Sequence, residues 1–170
     1  ISNSDGGTLY SLKNNKLKFE IMHTESKNSY FGGSAKPVPD TTYPIKLYID
    51  NKPNIHQVSA ACALEGKTIN IKNAYTDKNY DLSGLKGFDK RTKYYSKALL
   101  NVPLKNHKDE VIGVLQLINP TKGNKINSYS NEMVNLVEAL ASQASISLTN
   151  QLLILNPLQV EIGLTQVIEF

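Results

Sequence analysis

Cysteine is almost absent from this sequence: Cys62 is the single example in 170 residues. One cysteine excludes an internal disulfide framework and any multi-cysteine metal site, and it is compatible with a reducing, cytoplasmic setting. Long apolar runs are missing too. Those present are short and broken by polar residues, so no segment reads as a membrane span, and no signal peptide opens the chain. The third absence is massed charge of one sign. The net charge is +4, from 19 basic against 15 acidic residues, with lysines scattered among acidic neighbours. A nucleic-acid binder gathers its basic residues on one face with aromatics or a recognition helix, so no nucleic-acid partner is expected. There is no Ser-His-Asp order, no glycine-rich phosphate loop before a helix and no pair of catalytic carboxylates. The segment is not expected to be an enzyme, and no cofactor is expected.

What is present suits one domain with one sizeable core. Residues 1–155 read as that domain, and 156–170, apolar and almost uncharged, as a linker or the start of a following segment. Thr8–Leu12 and Leu17–Ile21 alternate polar and apolar across a short polar break, which predicts an antiparallel hairpin. A loop rich in Gly, Ser and Pro follows, Thr24 to Tyr43. Asn54 is placed to cap a short helix carrying Ile55, Val58, Ala61 and Cys62, with Gly66 at its C-terminal stop. Thr68–Ile71 alternates as a strand, and Asn73–Lys97 reads as a second long irregular segment. Ala98–Leu104 and Glu110–Asn119 are strongly apolar strands joined by a polar turn, the clearest hairpin in the chain, and their near-continuous apolar character suggests burial on both faces. Ser128 or Ser130 can cap a final long helix, with Leu136, Leu140, Ala144, Leu148 and Leu152 four apart along it. The predicted fold is α+β: an antiparallel sheet of about five or six strands, helices on one face, and the two long loops roofing a pocket on the other.

Several of these segments together resemble the GAF domain family. They are Asp5-Gly6-Gly7-Thr8-Leu9-Tyr10, Gly66 through Tyr75, Val102-Pro103-Leu104-Lys105-Asn106, Glu110 through Asn119, and Ala141-Ser142-Gln143-Ala144. The similarity is greatest to the GAF domains of bacterial HD-type phosphohydrolases, nucleotide cyclases and cyclic-nucleotide phosphodiesterases. It implies a sensory module that binds a small ligand, dimerises through terminal helices and signals to an output domain in a longer protein. The helix that usually precedes the first strand of the family has no counterpart here. The family's cyclic-nucleotide signature, Asn-Lys, then Phe, then Asp-Glu, is also altered. Asn119 keeps the Asn, but Pro120 replaces Lys, Tyr129 replaces Phe, and Met133-Val134 replaces Asp-Glu. Both members of the family's Lys–Asp ion pair are therefore lost together, which leaves no unpaired charge and speaks against cyclic AMP or cyclic GMP bound in the usual way.

By the resemblance, Thr8, His23, Thr92, Ser96 and Gln116 are the residues expected to face the ligand. The alternative is that Thr8 and Gln116 are ordinary strand residues satisfied by their neighbours. The second long segment carries Lys86, Lys90, Arg91, Lys93 and Lys97 against Asp89. A lid this basic suits an anionic ligand, which makes Arg91, Lys93 and Lys97 candidate anion contacts; the alternative is a solvated loop. Cys62 reads as a buried small hydrophobe, since His56 lies six positions away and no local Cys–His dyad forms. His107-Lys108-Asp109-Glu110 reads as a solvated turn. Two further readings stand beside the sensor: a ligand-free dimerisation scaffold, and a haem or iron sensor using His23.

Overall fold

The computed structural model describes residues 3–40, 42–122 and 125–155. Six strands make the central sheet: β1 (Ser4–Lys13), β2 (Lys16–Thr24), β3 (Ser29–Gly32), β4 (Ile69–Ile71), β5 (Leu99–Lys105) and β6 (Val111–Lys122). Their order across the sheet is β3-β2-β1-β6-β5-β4, with every named pair antiparallel. Two-residue strands at Ile45–Lys46 and Lys125–Ile126 add to β2 and β6. Among the described residues three α-helices complete the fold: α1 (Val58–Glu65), α2 (Ser83–Thr92) and α3 (Asn131–Leu155). The architecture is α+β. Among the described residues, no helix is long and apolar enough to cross a membrane.

Both predicted hairpins form, the first with strands longer than its alternating core and the second close to its predicted bounds. The inner pair, β5 and β6, is buried on both faces, and its alternation feeds two separate clusters. Leu100, Val102 and Leu104 join Val137 and Ala141 of α3 on one side. Leu99 and Val114 join Tyr10, Ala61 and Cys62 of the opposite side. Helix α3 thus covers one face by itself. The other face carries α1 and the start of α2 as well as the loops, a modification of the expected layout that follows from the need of a doubly apolar hairpin for cover on both sides. Buried Cys62 sits there, its thiol pushed up to about 12 chiefly by burial.

Local signals explain the boundaries. Helix α1 ends at Gly66, whose φ of 60° is the left-handed conformation that stops a helix without a Cβ penalty. Its start is capped by Gln57 rather than Asn54: the Gln57 side chain accepts from the Ala60 backbone N–H at 2.7 Å. Helix α3 is capped by Ser130, whose Oγ accepts from the Met133 N–H at 3.3 Å. Pro103 lies past the stretch of β5 that β4 covers, Leu99 to Asn101, so its missing donor is not needed by that neighbour. At Gly113 an added Cβ would stand 2.3 Å from the Tyr10 carbonyl oxygen; β1 and β6 approach there too closely for any side chain.

The leucine row on α3 behaves differently from expectation. Leu136 is 40% exposed, while Val137 and Ala141 supply the buried stripe. Residues four apart advance about 40° per step around a helix of 3.6 residues per turn, so an unbroken row of fours winds off the buried face. Helix α3 continues to Leu155, but the side chains of Leu148 and of 151–155, in the terminal helix through which the resemblance implies dimerisation, lie outside the described residues, as does the segment 156–170.

Candidate functional site

The sheet face beneath α1 carries a chain of polar side chains in an otherwise apolar layer. Register places them. Gln116 on β6 stands directly opposite Thr8 on β1 and Asn101 on β5, so the three form one row across the central strands. Tyr10, two positions along from Thr8, and Ser59 of α1 complete the group. The Tyr10 hydroxyl donates to Gln116 Oε1 at 3.3 Å. Gln116 Nε2 donates to Ser59 Oγ at 3.3 Å and to Asn101 Oδ1 at 3.1 Å. Ser59 Oγ donates to the same Asn101 oxygen at 3.0 Å. Burial pushes the Tyr10 hydroxyl up to about 12, with hydrogen bonds from Ser59 and Thr8 pulling the other way. It is a neutral donor at physiological pH.

One hydrogen bond in this group is unmet. Asn101 is fully buried, and its Nδ2 has no hydrogen-bond partner among the described residues. Exchanging the two ends of the amide would move the unmet bond from a donor to an acceptor without removing it. A buried, unpaired amide donor costs about 1–3 kcal/mol, and such groups are few in native folds.

Directly above Gln116 lies a cavity of about 340 Å³. Gln116 and Leu99 form its sheet side; His56, Gln57 and Val58 line it from the start of α1; Asp81 to Leu85 line it from the start of α2; Ile49, in the two-residue hairpin that pairs Tyr48–Ile49 with Lys52–Pro53, and Asn54 just after it close it. The Asp81 N–H donates to the His56 carbonyl at 2.8 Å and ties the two helix starts together.

Of the residues expected from the sequence, Gln116 lines the cavity, and Thr8 belongs to the polar row beneath it. The other three lie elsewhere. His23 is across the sheet from Gly7, its side chain 45% exposed and 3.3 Å from the Glu25 carboxylate. Thr92 is exposed at the end of α2, its hydroxyl returned to the Phe88 carbonyl at 2.9 Å. Ser96 is buried, and its N–H and Oγ both donate to the Asp89 carboxylate at 2.7 Å. The Tyr75 hydroxyl gives Asp89 a third bond at 2.7 Å. Asp89 is therefore bonded inside the fold by Ser96 and Tyr75. Arg91 and Lys93 are exposed, Lys97 is half-buried, and none of the three lines the cavity.

Asn119 has a role that its place in a nucleotide signature does not suggest. Its backbone adopts φ 55°. Its Oδ1 accepts from the N–H groups of Lys97 and Ala98 at 2.8 and 3.1 Å, and its Nδ2 donates to the Tyr95 carbonyl at 2.6 Å and to the Tyr94 hydroxyl at 3.3 Å. It clasps the approach to β5 onto β6. Of the other signature positions, Tyr129 is buried against Ser4, and Met133 and Val134 pack into the core beneath α3.

The profile of the GAF domain family matches residues 7–148. This chain is a GAF domain. The family is one of regulatory domains that sense small molecules, and its members occur in signalling proteins. Among curated relatives, the dual cyclic-AMP and cyclic-GMP phosphodiesterase 11 of Drosophila melanogaster is 32% identical over 140 residues, which is 79% of this chain and 9% of that protein. The chain spans less than a tenth of the length of the curated relatives it matches. Among solved structures, the GAF domain of an Acinetobacter phosphoenolpyruvate-protein phosphotransferase superposes with a TM-score of 0.59 at 14% identity, covering 90% of this chain and 75% of that one. The GAF domain/HD domain protein of Geobacter sulfurreducens gives 0.55 at 11% identity, over 88% and 83%. These two similarities concern the fold alone.

Proposed function

We propose that this GAF domain senses a small molecule in the cavity above Gln116 and passes the change along α3 to an output domain of a longer, dimeric signalling protein. The observation that carries this reading is the unmet Asn101 amide beside Gln116. A purely structural core gains nothing from four polar groups on an apolar sheet face and a fifth above it on α1, one of them unpaired, whereas a binding floor needs polar groups that exchange partners. The Gln116 contacts, at 3.1 to 3.3 Å, are longer than the usual optimum and so cost little to exchange. In this reading the domain regulates and does not catalyse.

The scaffold reading draws support from Leu136 and Ile146, 40% and 63% exposed on α3, which suit association with a second copy. A melting-temperature screen against cyclic AMP, cyclic GMP, nucleosides and a metabolite panel separates the two. The sensor reading expects at least one compound to raise the melting temperature, an effect lost in Gln116→Leu while that variant keeps the wild-type circular dichroism. If no compound shifts the wild type, the scaffold reading replaces it.

A further inference from the structure

Lysines that lie scattered along the sequence are gathered by register at one end of the sheet. Lys13 is directly opposite Lys16 across the first hairpin, and Lys16 is directly opposite Lys46 on the two-residue strand beside β2. Directly opposed residues share a face, so these three lysines form one row across three strands, about 10 Å from end to end. Lys18, two positions along β2 and paired with Ser11, extends the same face into the next row. The alternate residues, Leu12, Leu17 and Ile45, turn the other way into the core beneath α1. All four lysines are exposed. Lys18 stands 3.3 Å from the Glu20 carboxylate; among the described residues, Lys13, Lys16 and Lys46 make no ion pair.

Like charges set directly opposite one another weaken a sheet, and no described ion pair offsets that cost here. The turn between the strands does not require them: Asn14 and Asn15, at φ 50° and 57°, supply its left-handed backbone. A single small anion on so open a face would keep its water and meet one or two lysines. An extended anionic surface meets all of them at once, and a lysine ammonium neutralises charge without fixing the orientation of what it meets. Tyr43 and Tyr48, 81% and 43% exposed, bracket Lys46 in the same segment. An exposed tyrosine, with an apolar ring and a polar tip, suits the boundary between lipid headgroups and chains. We propose that this face of β1 and β2, with the Tyr43–Tyr48 segment beside it, docks the domain on the surface of an anionic lipid bilayer without crossing it. The proposal is independent of the sensor reading, since none of these residues is among the described lining of the cavity.

The test is co-sedimentation of the full chain with phosphatidylcholine vesicles, with and without about 30% phosphatidylserine, at about 0.1 M and about 1 M salt. Binding is expected to the phosphatidylserine vesicles at low salt, at least about tenfold weaker at high salt, and absent with phosphatidylcholine alone. Each lysine at such a surface contributes about fivefold, so Lys13→Gln, Lys16→Gln and Lys46→Gln combined should weaken binding about a hundredfold. The combined variant Lys72→Gln, Lys78→Gln and Lys90→Gln removes the same charge from exposed positions elsewhere and should weaken it less than about tenfold. Circular dichroism melting checks both variants. The first is expected to melt no lower than the wild type, because opposed like charges are removed; a lower value would contradict that opposition. Equal losses in the two variants would show attraction to net charge alone and overturn the proposal. So would a wild type that leaves the phosphatidylserine vesicles unbound, an arm that needs no variant. Capture of single-stranded DNA or polyglutamate with the vesicles left unbound overturns it too, and assigns the face to an acidic macromolecule.

Discussion

Replacing Asn119 by alanine tests whether this residue serves as a clasp. The substitution removes four side-chain hydrogen bonds, but they do not count equally. Ala98 is fully buried, so its N–H, which reaches Asn119 Oδ1 at 3.1 Å, would lose its partner with no water to replace it. That alone costs about 2–3 kcal/mol. Lys97 is half-buried and its N–H can turn to solvent, for a loss of about 1 kcal/mol. Asparagine also tolerates the φ of 55° at this position better than alanine, which adds about 1 kcal/mol. The total is about 4 kcal/mol, or a fall of about 10 °C in melting temperature for a domain of this size. Asn119→Gly separates the two causes, because glycine accepts the backbone conformation while losing the clasp. It should melt between the wild type and the alanine variant, about 1 kcal/mol above the latter. Urea unfolding followed by circular dichroism gives all three values on one scale. A loss of less than about 1 kcal/mol for the alanine variant, with unchanged amide exchange at Lys97 and Ala98, would refute the clasp.

Two further outcomes follow from the same strands. Gly113→Ala places a methyl group 2.3 Å from the Tyr10 carbonyl oxygen and 3.2 Å from Leu104 Cδ1, so β1 and β6 must separate. A cost of about 3 kcal/mol is expected as a lower urea midpoint, and an unchanged midpoint would mean that the strands part freely. Asp5 tests pH dependence. Burial raises its carboxyl, but hydrogen bonds from Tyr94 and Ser26 outweigh this and hold it below the ordinary 3.8. A depressed folded-state value means that the stabilisation is complete above the unfolded value and disappears as pH falls through the folded one. The melting difference between wild type and Asp5→Asn should therefore hold steady from about pH 7 to 5 and shrink below about pH 4; a difference that grows on acidification would reverse the assignment.

Most of the sheet is legible in the sequence because period-two alternation marks the first hairpin and near-continuous apolar runs across a polar turn mark the second. Helix α2 is not, since Gly84, Gly87 and six charged or hydroxyl residues leave Ser83–Thr92 without an apolar stripe; tertiary contacts through Leu82 and Leu85 carry it instead. The site was half legible. Gln116 was found through family resemblance, whereas Ser59 was hidden in an alanine-rich helix and Asn101 in the run Leu99-Leu100-Asn101-Val102. The pairing at Asn101 was not legible from the turn. A regular count back from Lys105 opposite Val111 would set Asn101 against Leu115, but the register shifts between Leu104 and Lys105 and sets it against Gln116, two amides in an otherwise apolar stretch of the ladder. A single amide in such a strand reads as a satisfied core residue. Two amides forced opposite each other share one set of donors and acceptors, and in this fold that sharing leaves Asn101 Nδ2 unmet beside Gln116, the residue that lines the cavity. Register therefore links the most identifiable hairpin in the chain to the chemistry of the site. The second long segment, outside that register, lends the cavity Asp81 to Leu85, but none of its basic residues is among the described lining residues.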